Sequence, residues 1–540
     1  MVQSTKQPEL FALLEELHPV LSEYLESLAT APVTTALPPS QLRGQFPNNL
    51  VLSGTPNPDL RQLVSQVLEH SARTASPRFL DKLYSGSDAV GQFSELLLAL
   101  LNTNVHVYSV SPVATLMEHE SIAALSDLCG FKTPASGVFQ PGGSASNMLA
   151  MITARNLIYP EIKRVGAAKA GLQLAVFTSA DGHYSIEKAA IVLGLGLEAV
   201  IKVPVHGRGK GIDPNLLESS LRESYQRGET PYFVNLTAGT TVFSAFDDIV
   251  ACSEVVHKIE REYGLRIWIH IDGSYGGPVI FSPTLKKQLM NGLETADSFT
   301  INPHKILGVP QQCSVLLVNS GNGFGRDALW TANGLNVEYL FHKEKSDTEV
   351  LGNGREGEED GGYMMNIGNG TIGCGRRPDS IKFYLCWSYH GTSGWGGRVE
   401  RAFDNVTKLK NILAASKSFE IVIPVEDMTP RLTVSFWCIP GCVLKHYGSV
   451  QDFLSNKDVD SKTLLKNSTL AVHRELIKRG KYMIDYMGIT SQGLTQFIRV
   501  CISHPAIDDA FLYELVAELE SITSRCRVDW GTLNVVVQEE

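Results

Sequence analysis

A lysine that closes an apolar run has more chemistry open to it than any other residue type here. The stretch Ile301-Asn302-Pro303-His304-Lys305-Ile306-Leu307-Gly308 follows Ser298-Phe299-Thr300, so a strand ends on an imidazole and an amine. A lysine buried among apolar neighbours is costly. Such a lysine is paired, reaches solvent, or is shifted toward its neutral, nucleophilic form. Other polar groups stand at comparable places. Asp272 closes the run WIHID, His183 follows VFTSADG, and Thr240 and Thr241 follow VNLTAG. Pro141-Gly142-Gly143-Ser144-Ala145-Ser146-Asn147 precedes the helical run MLAMITARN. Small residues ahead of a helix N-terminus expose backbone N–H groups, and the helix dipole there favours an anion.

An amine, a carboxylate, an imidazole and an anion cradle on one rim together suit pyridoxal phosphate. The amine can link to the cofactor aldehyde. The carboxylate keeps the pyridine nitrogen protonated, which makes the ring an electron sink. The imidazole can stack on the ring face. Singly, each residue has a plainer reading: an Asp at a strand end caps a helix or turn, and a His beside a Gly is hydrogen-bonded structure. His270, Asp272 and His304 could also be read as a metal set, but lysine is a poor metal ligand and no metal is expected.

These residues share a rim only if the elements between them form a parallel sheet. LAVFTSA (174–180), PYFVNLTA (231–238), RIWIHID (266–272), SFTIN (298–302) and SVLLVN (314–319) read as strands, and 184–194, 213–228 and 248–264 as helices. That alternation predicts an α/β fold with a mostly parallel central sheet covered on both faces, with ligands beyond the carboxyl ends of the strands. Leucines spaced along 9–28 predict an amphipathic helix, a Pro-rich arm follows, and 58–105 reads as helical again. A helix over 397–418 leads into shorter strands and helices. The expected division is an N-terminal helical segment over 1–105, a large domain over 106–395 and a small C-terminal α+β domain over 396–540. Residues 342–362, rich in acids and glycine, read as a surface loop.

The totals agree with a soluble enzyme. Hydrophobic residues make up 43% of the 540 and charged residues 19%, and the net charge of −10 argues against nucleic acid or an anionic membrane as partner. Nine scattered cysteines without a CxxC pair predict reduced thiols. With no secretory signal at MVQSTKQPEL and no apolar run long enough to span a bilayer, the expected location is the cytoplasm.

The segments SPRFLDKLYSGSD, VYSVSPVATLMEHE, GVFQPGGSASNMLAMITAR, TAGTTVFSAFDDI, HIDGSYGG, INPHKILGVPQQCS, EYLFHKEK, CGRRPDSIKFYLCW and FIRVCISHP occur in this order between about residues 76 and 515. They resemble the group II pyridoxal-phosphate decarboxylases, in the branch of glutamate, cysteine sulfinate and aspartate decarboxylases. The resemblance implies a type I pyridoxal-phosphate (aspartate aminotransferase-like) fold and a homodimer with sites at the subunit interface. Lys305 matches the lysine that carries the cofactor, Asp272 the pyridinium partner and His183 the ring-stacking histidine. Ser144, Ala145, Ser146, Asn302 and His304 match the phosphate contacts, and Thr241 lines the cofactor pocket. Tyr363 matches a loop tyrosine that returns a proton to Cα, and its phenol suits that task. The acid-rich insertion before it lengthens the loop relative to the family.

The substrate leaves fainter marks. Arg499 matches an arginine near a substrate carboxylate, which a guanidinium reads bidentately; its plainer reading is a structural ion pair. Tyr84 stands where glutamate enzymes carry a small residue and cysteine sulfinate and aspartate enzymes an aromatic. A ring there shortens the pocket, though one methylene discriminates by only about 1–3 kcal/mol. The expected reaction is L-aspartate to β-alanine, or cysteine sulfinate to hypotaurine, ahead of glutamate to GABA. Lys82 in place of a glutamine, and Gly273-Ser274 in place of an Ala-Ala pair, leave an aromatic amino acid as the most distant alternative. Transamination, aldol cleavage or a silent cofactor-binding homologue are the competing classes.

Overall fold

The computed structural model describes residues 10–35, 37–46, 59–132, 136–335, 366–456 and 460–539. They divide into two compact units: Ser87–Thr407 with Met428–Thr433, and Met1–Gly86 with Lys408–Asp427 and Val434–Glu540.

The first unit is built on seven strands: β1 (Ser136–Gln140), β2 (Leu174–Ser179), β3 (Val200–Val203), β4 (Thr230–Thr237), β5 (Trp268–Gly273), β6 (Ser298–Ile301) and β7 (Ser314–Val318), in the order β1-β7-β6-β5-β4-β2-β3. From β3 to β6 every pairing is parallel, and β7 lies antiparallel between β6 and β1. Residues of β2, β5 and β6 are buried throughout, as expected of strands rich in β-branched and aromatic residues and covered on both faces. Helices cross over between the parallel strands. Pro214–Gln226 starts on Asp213, whose carboxylate accepts from the Asn215 amide. Ile249–Tyr263 starts on Asp248 in the same way and closes on left-handed Gly264. The helix Gly143–Ile158 sinks Leu149, Ala150, Met151 and Ala154 into a core with Val176, Phe233, Trp268 and Leu316.

The second unit carries β8 (Phe419–Ile421), β9 (Thr433–Cys438), β10 (Asp485–Ile489) and β11 (Leu494–Cys501), ordered β10-β11-β9-β8, with antiparallel pairing of β10 with β11 and of β8 with β9. The helices Ser461–Arg479 and Asp509–Ser524 belong to it, as does the N-terminal helix Leu10–Glu26. The arm after that helix is fastened: Val33 donates its amide to Gly480 O at 2.8 Å and accepts from Arg73 N at 2.8 Å.

The expected parallel strands are present at nearly the expected bounds. Two strands had no clear signal: β1 is short and carries a glycine, and β3 is largely half-exposed. The helical reading of 58–105 is corrected. Helices occupy Leu60–His70 and Ala89–Leu101 only, because Ser76-Pro77 and Ser85-Gly86-Ser87 interrupt the run and Asp88 caps a new start on the Gly91 amide. The helix expected over 397–418 begins earlier, spans Asp379–Ala415 and is broken at Gly391. All nine cysteines are free thiols, and only Cys374 is exposed. No helix among the described residues is long and apolar enough to cross a membrane.

Candidate active site

Strand register decides which side chains meet. Thr237 of β4 pairs with Asp272 of β5, and Asp272 with Thr300 of β6, so these strands finish on one rim. His183 follows β2 on the same side, ahead of the helix Ser185–Val192, and its Nδ1 accepts from the Ser185 amide at 3.2 Å. Lys305 follows β6 in a turn closed by its own amide on Asn302 O at 3.1 Å, and its Nζ lies 5.9 Å over the Tyr275 ring. That ring is fixed, with its hydroxyl donating to Leu432 O at 3.1 Å.

Asp272 is 4% exposed. Burial pushes its carboxyl up, but hydrogen bonding from Ser274, joined by His183 and His270 only where acid protonates them, prevails and holds it below the usual carboxylate range. The Ser274 amide reaches Oδ1 at 3.0 Å and Asn147 Nδ2 reaches Oδ2 at 2.8 Å. His183 moves the other way. Burial keeps its imidazole below the usual range, Asp272 opposes this, and the Lys305 and Lys188 ammonium groups add to it. The rim thus holds an ionised acid, a neutral imidazole and a cation within mutual electrostatic reach.

The cradle lies beside them. Gly142 has φ +128°, and a Cβ on Gly143 would stand 2.3 Å from Ser274 Oγ and 2.9 Å from Asn302 Nδ2, so only glycine lets the helix mouth approach this closely. Ser144 and Ala145 occupy the first turn of that helix. Ser146 is buried, with its Oγ 2.7 Å from Ser314 Oγ. Asn302 is buried too, and its Oδ1 has no hydrogen-bond partner among the described residues. A rotatable amide left over in a buried site can turn its NH2 to an anion. Thr241 is half-buried in the turn between Ala238 and Phe246, next to Thr240, whose Oγ1 accepts from Ala245 N at 3.0 Å. His304 Nδ1 lies 2.5 Å from Cys313 O. Burial pushes its pKa down to about 4, the Cys313 carbonyl works against that, and Lys305 and Lys382 assist it. The Cys313 amide also reaches Nδ1, at 3.1 Å; a neutral ring that accepts there carries its hydrogen on Nε2, the arrangement that suits the phosphate contact expected of His304.

The remaining expected residues are not brought to this rim by the first unit. Tyr363 lies outside the described residues. Tyr84 and Arg499 belong to the second unit. Arg499 is 2% exposed, and its Nη2 donates to Asp81 O at 2.7 Å and to Asp485 Oδ2 at 3.3 Å. Lys82 reaches the same Asp485 oxygen at 3.1 Å. The Tyr84 ring packs 5.7 Å from that of Phe79. No cluster of His, Cys, Asp or Glu suited to a metal occurs among the described residues. Asn147 and His270 were not predicted as cofactor-site residues, although both carried a signal: Asn147 ends the cradle motif, and His270 precedes Asp272 by two, hence on the same strand face.

A narrow helix mouth, an unsatisfied buried amide, an ionised acid and an amine fit a phosphate, a pyridine nitrogen and an aldehyde. With the sheet order, they define a pyridoxal-phosphate enzyme of the type I fold. The pyridoxal-dependent decarboxylase conserved domain matches residues 39–439. The L-aspartate decarboxylase dtxS4 of Metarhizium robertsii is 36% identical over 476 residues, 87% of this chain and 84% of its own. The crystal structure of mouse CSAD superposes with a TM-score of 0.82 at 29% identity, covering 95% of this chain and 98% of that one. Oryza sativa TDC, solved with PLP and tryptamine, reaches 0.79 at 19% identity over 96% and 99%, a likeness of fold alone. The chain belongs to the pyridoxal-dependent decarboxylase family; it is a carboxy-lyase, and its cofactor is pyridoxal phosphate.

Proposed function

We propose that the chain removes the α-carboxylate of a small acidic L-amino acid. L-Aspartate to β-alanine is the first reading, cysteine sulfinate to hypotaurine the second, and glutamate to GABA the alternative. The observation that carries it is the meeting of Lys305, Asp272 and His183 on one rim. Pyridoxal phosphate bound there supplies a conjugated ring that accepts the electron pair left when CO2 departs. Lys305 offers the amine that anchors the aldehyde. Asp272, kept ionised, would hold the proton on the ring nitrogen, and neutral His183 would stack on the ring. Ser144, Ala145, Ser146, Asn302, His304 and Thr241 hold the phosphate end and pocket wall. Tyr363 delivers the proton to Cα, and Arg499 and Tyr84 set recognition of the second acid group.

Support for aspartate comes from the 36% identity to an L-aspartate decarboxylase and from the aromatic at position 84. Comparative kcat/KM on aspartate, cysteine sulfinate and glutamate, with CO2 and amine products identified and Lys305→Ala as the blank, tests it. Aspartate is expected to lead; glutamate as best substrate overturns the order, and keto acid without CO2 overturns the reaction. A cytoplasmic homodimer is part of the same proposal. The helix Leu10–Glu26 has no buried residue, and Phe93, Leu100 and Val113 are 63%, 60% and 58% exposed, apolar surface that a second copy would cover.

A further inference from the structure

Behind Asp272 runs a line of buried polar groups whose donors all point one way. Trp268 Nε1 lies 2.7 Å from Ser298 Oγ, and Ser298 Oγ 2.7 Å from His270 Nδ1. His270 Nε2 lies 3.1 Å from Asn147 Oδ1, and Asn147 Nδ2 2.8 Å from Asp272 Oδ2. Trp268, Ser298 and His270 are wholly buried, and Asn147 is 1% exposed. An indole nitrogen only donates, so Ser298 accepts from Trp268 and its own proton is available to His270 Nδ1. His270 then carries its proton on Nε2. That proton goes to Asn147 Oδ1, with Thr300 Oγ1 a more distant neighbour at 3.4 Å. The amide is thereby oriented with its NH2 toward Asp272 and the Ser185 hydroxyl, 3.0 Å away. From the other end the result is the same. An ionised Asp272 needs a donor, so the amide oxygen must face His270, and Nε2 must hold the hydrogen. Burial pushes His270 down to about 4 against the pull of Asp272, so the ring is neutral, as this order of donors demands.

We propose that His270 and Asn147 are positioning residues for the cofactor. His270, fixed as the Nε2–H tautomer by Ser298 and Trp268, holds the Asn147 amide so that it donates to Asp272 and keeps that carboxylate ionised and aimed at the ring nitrogen. The proposal rests on the pyridoxal reading of the rim. Polar networks in a dry interior have large leverage on the ionisation of the group they end on.

The test uses holoenzyme reconstituted with pyridoxal phosphate labelled with 15N at the ring nitrogen, whose chemical shift reports the proton there. Three variants are compared with wild type: Asn147→Ala, His270→Phe and His270→Gln, the last placing an amide N–H near the position of Nε2. Asn147→Ala and His270→Phe are expected to move the shift toward the unprotonated nitrogen and to lower kcat about tenfold, the equivalent of one pKa unit, with a smaller change in KM. His270→Gln is expected to restore the wild-type shift. Apoenzyme melting separates this from loss of fold. If His270→Phe does not fold, Asn147→Ala decides alone. A wild-type shift in folded Asn147→Ala overturns the proposal, as does a His270→Gln shift as displaced as that of His270→Phe. If wild type itself binds no pyridoxal phosphate, the reading of the rim fails instead.

Discussion

Asp272 and His270 stand two residues apart on β5, both buried; burial keeps the imidazole neutral, whereas the acid stays ionised against burial because its neighbours donate to it. The neutral imidazole has a consequence for acid stability. The folded-state pKa of His270, about 4, lies below the ordinary 6.5. As pH falls through 6.5 the unfolded chain takes the proton first, so His270 withdraws stability between about 6.5 and about 4. Glutamine does not titrate. The fall in apoenzyme Tm between pH 7 and pH 5 is therefore expected to be smaller in His270→Gln than in wild type, His304 contributing equally to both. Equal falls would show that His270 has no such role. At this scale the primary sequence exposed Lys305, Asp272 and His183, because an amine, an acid and an imidazole at the ends of apolar runs are costly enough to need a reason. Asn147 was legible only as the end of the cradle motif, because an uncharged amide gives no reason to look for its partners, which lie far away in sequence.

Elements were legible where a run was apolar on both faces. β4, β5 and β6 stood out from flanking polar residues, and the strand–helix alternation then dictated a parallel order that puts their ends on one rim. Elements whose identity depends on tertiary contact, such as β3, did not stand out. The turn after Lys305 is another of these. Gly308 has φ +69°, and a Cβ there would lie 2.4 Å from Arg398 Nη2. Arg398 is 8% exposed and has little room to retreat. Gly308→Ala is expected to cost about 1–3 kcal/mol of stability and to displace the turn that carries Lys305. Weaker cofactor retention on dialysis and a lower Tm check this; an alanine variant as stable and as well loaded as wild type would exclude it.

The whole molecule presents apolar surface on both units, and neither the helix Leu10–Glu26 nor the helix Ala89–Leu101 covers its outer leucines and phenylalanines within this chain. Sedimentation at micromolar concentration is expected to give twice the 59.0 kDa of one chain. Phe93→Glu is expected to weaken self-association about thirtyfold, as loss of about 2 kcal/mol at an interface centre does. A wild-type monomer, or an unchanged dissociation constant in the variant, would sink that expectation.

The distribution of thiols has a practical corollary. Burial raises the pKa of Cys129, Cys252, Cys313, Cys386, Cys438, Cys501 and Cys526, which starves each of the thiolate that alkylating reagents attack. Cys374 is the exposed thiol, and Cys442 is only half-buried and is the next most accessible. A maleimide dye at limiting ratio is therefore expected to mark the folded protein at one position, just ahead of Arg376 and Arg377. Tryptic mapping of the labelled peptide would reveal any second site, and a fluorophore so placed would report on this part of the chain without a redesigned sequence.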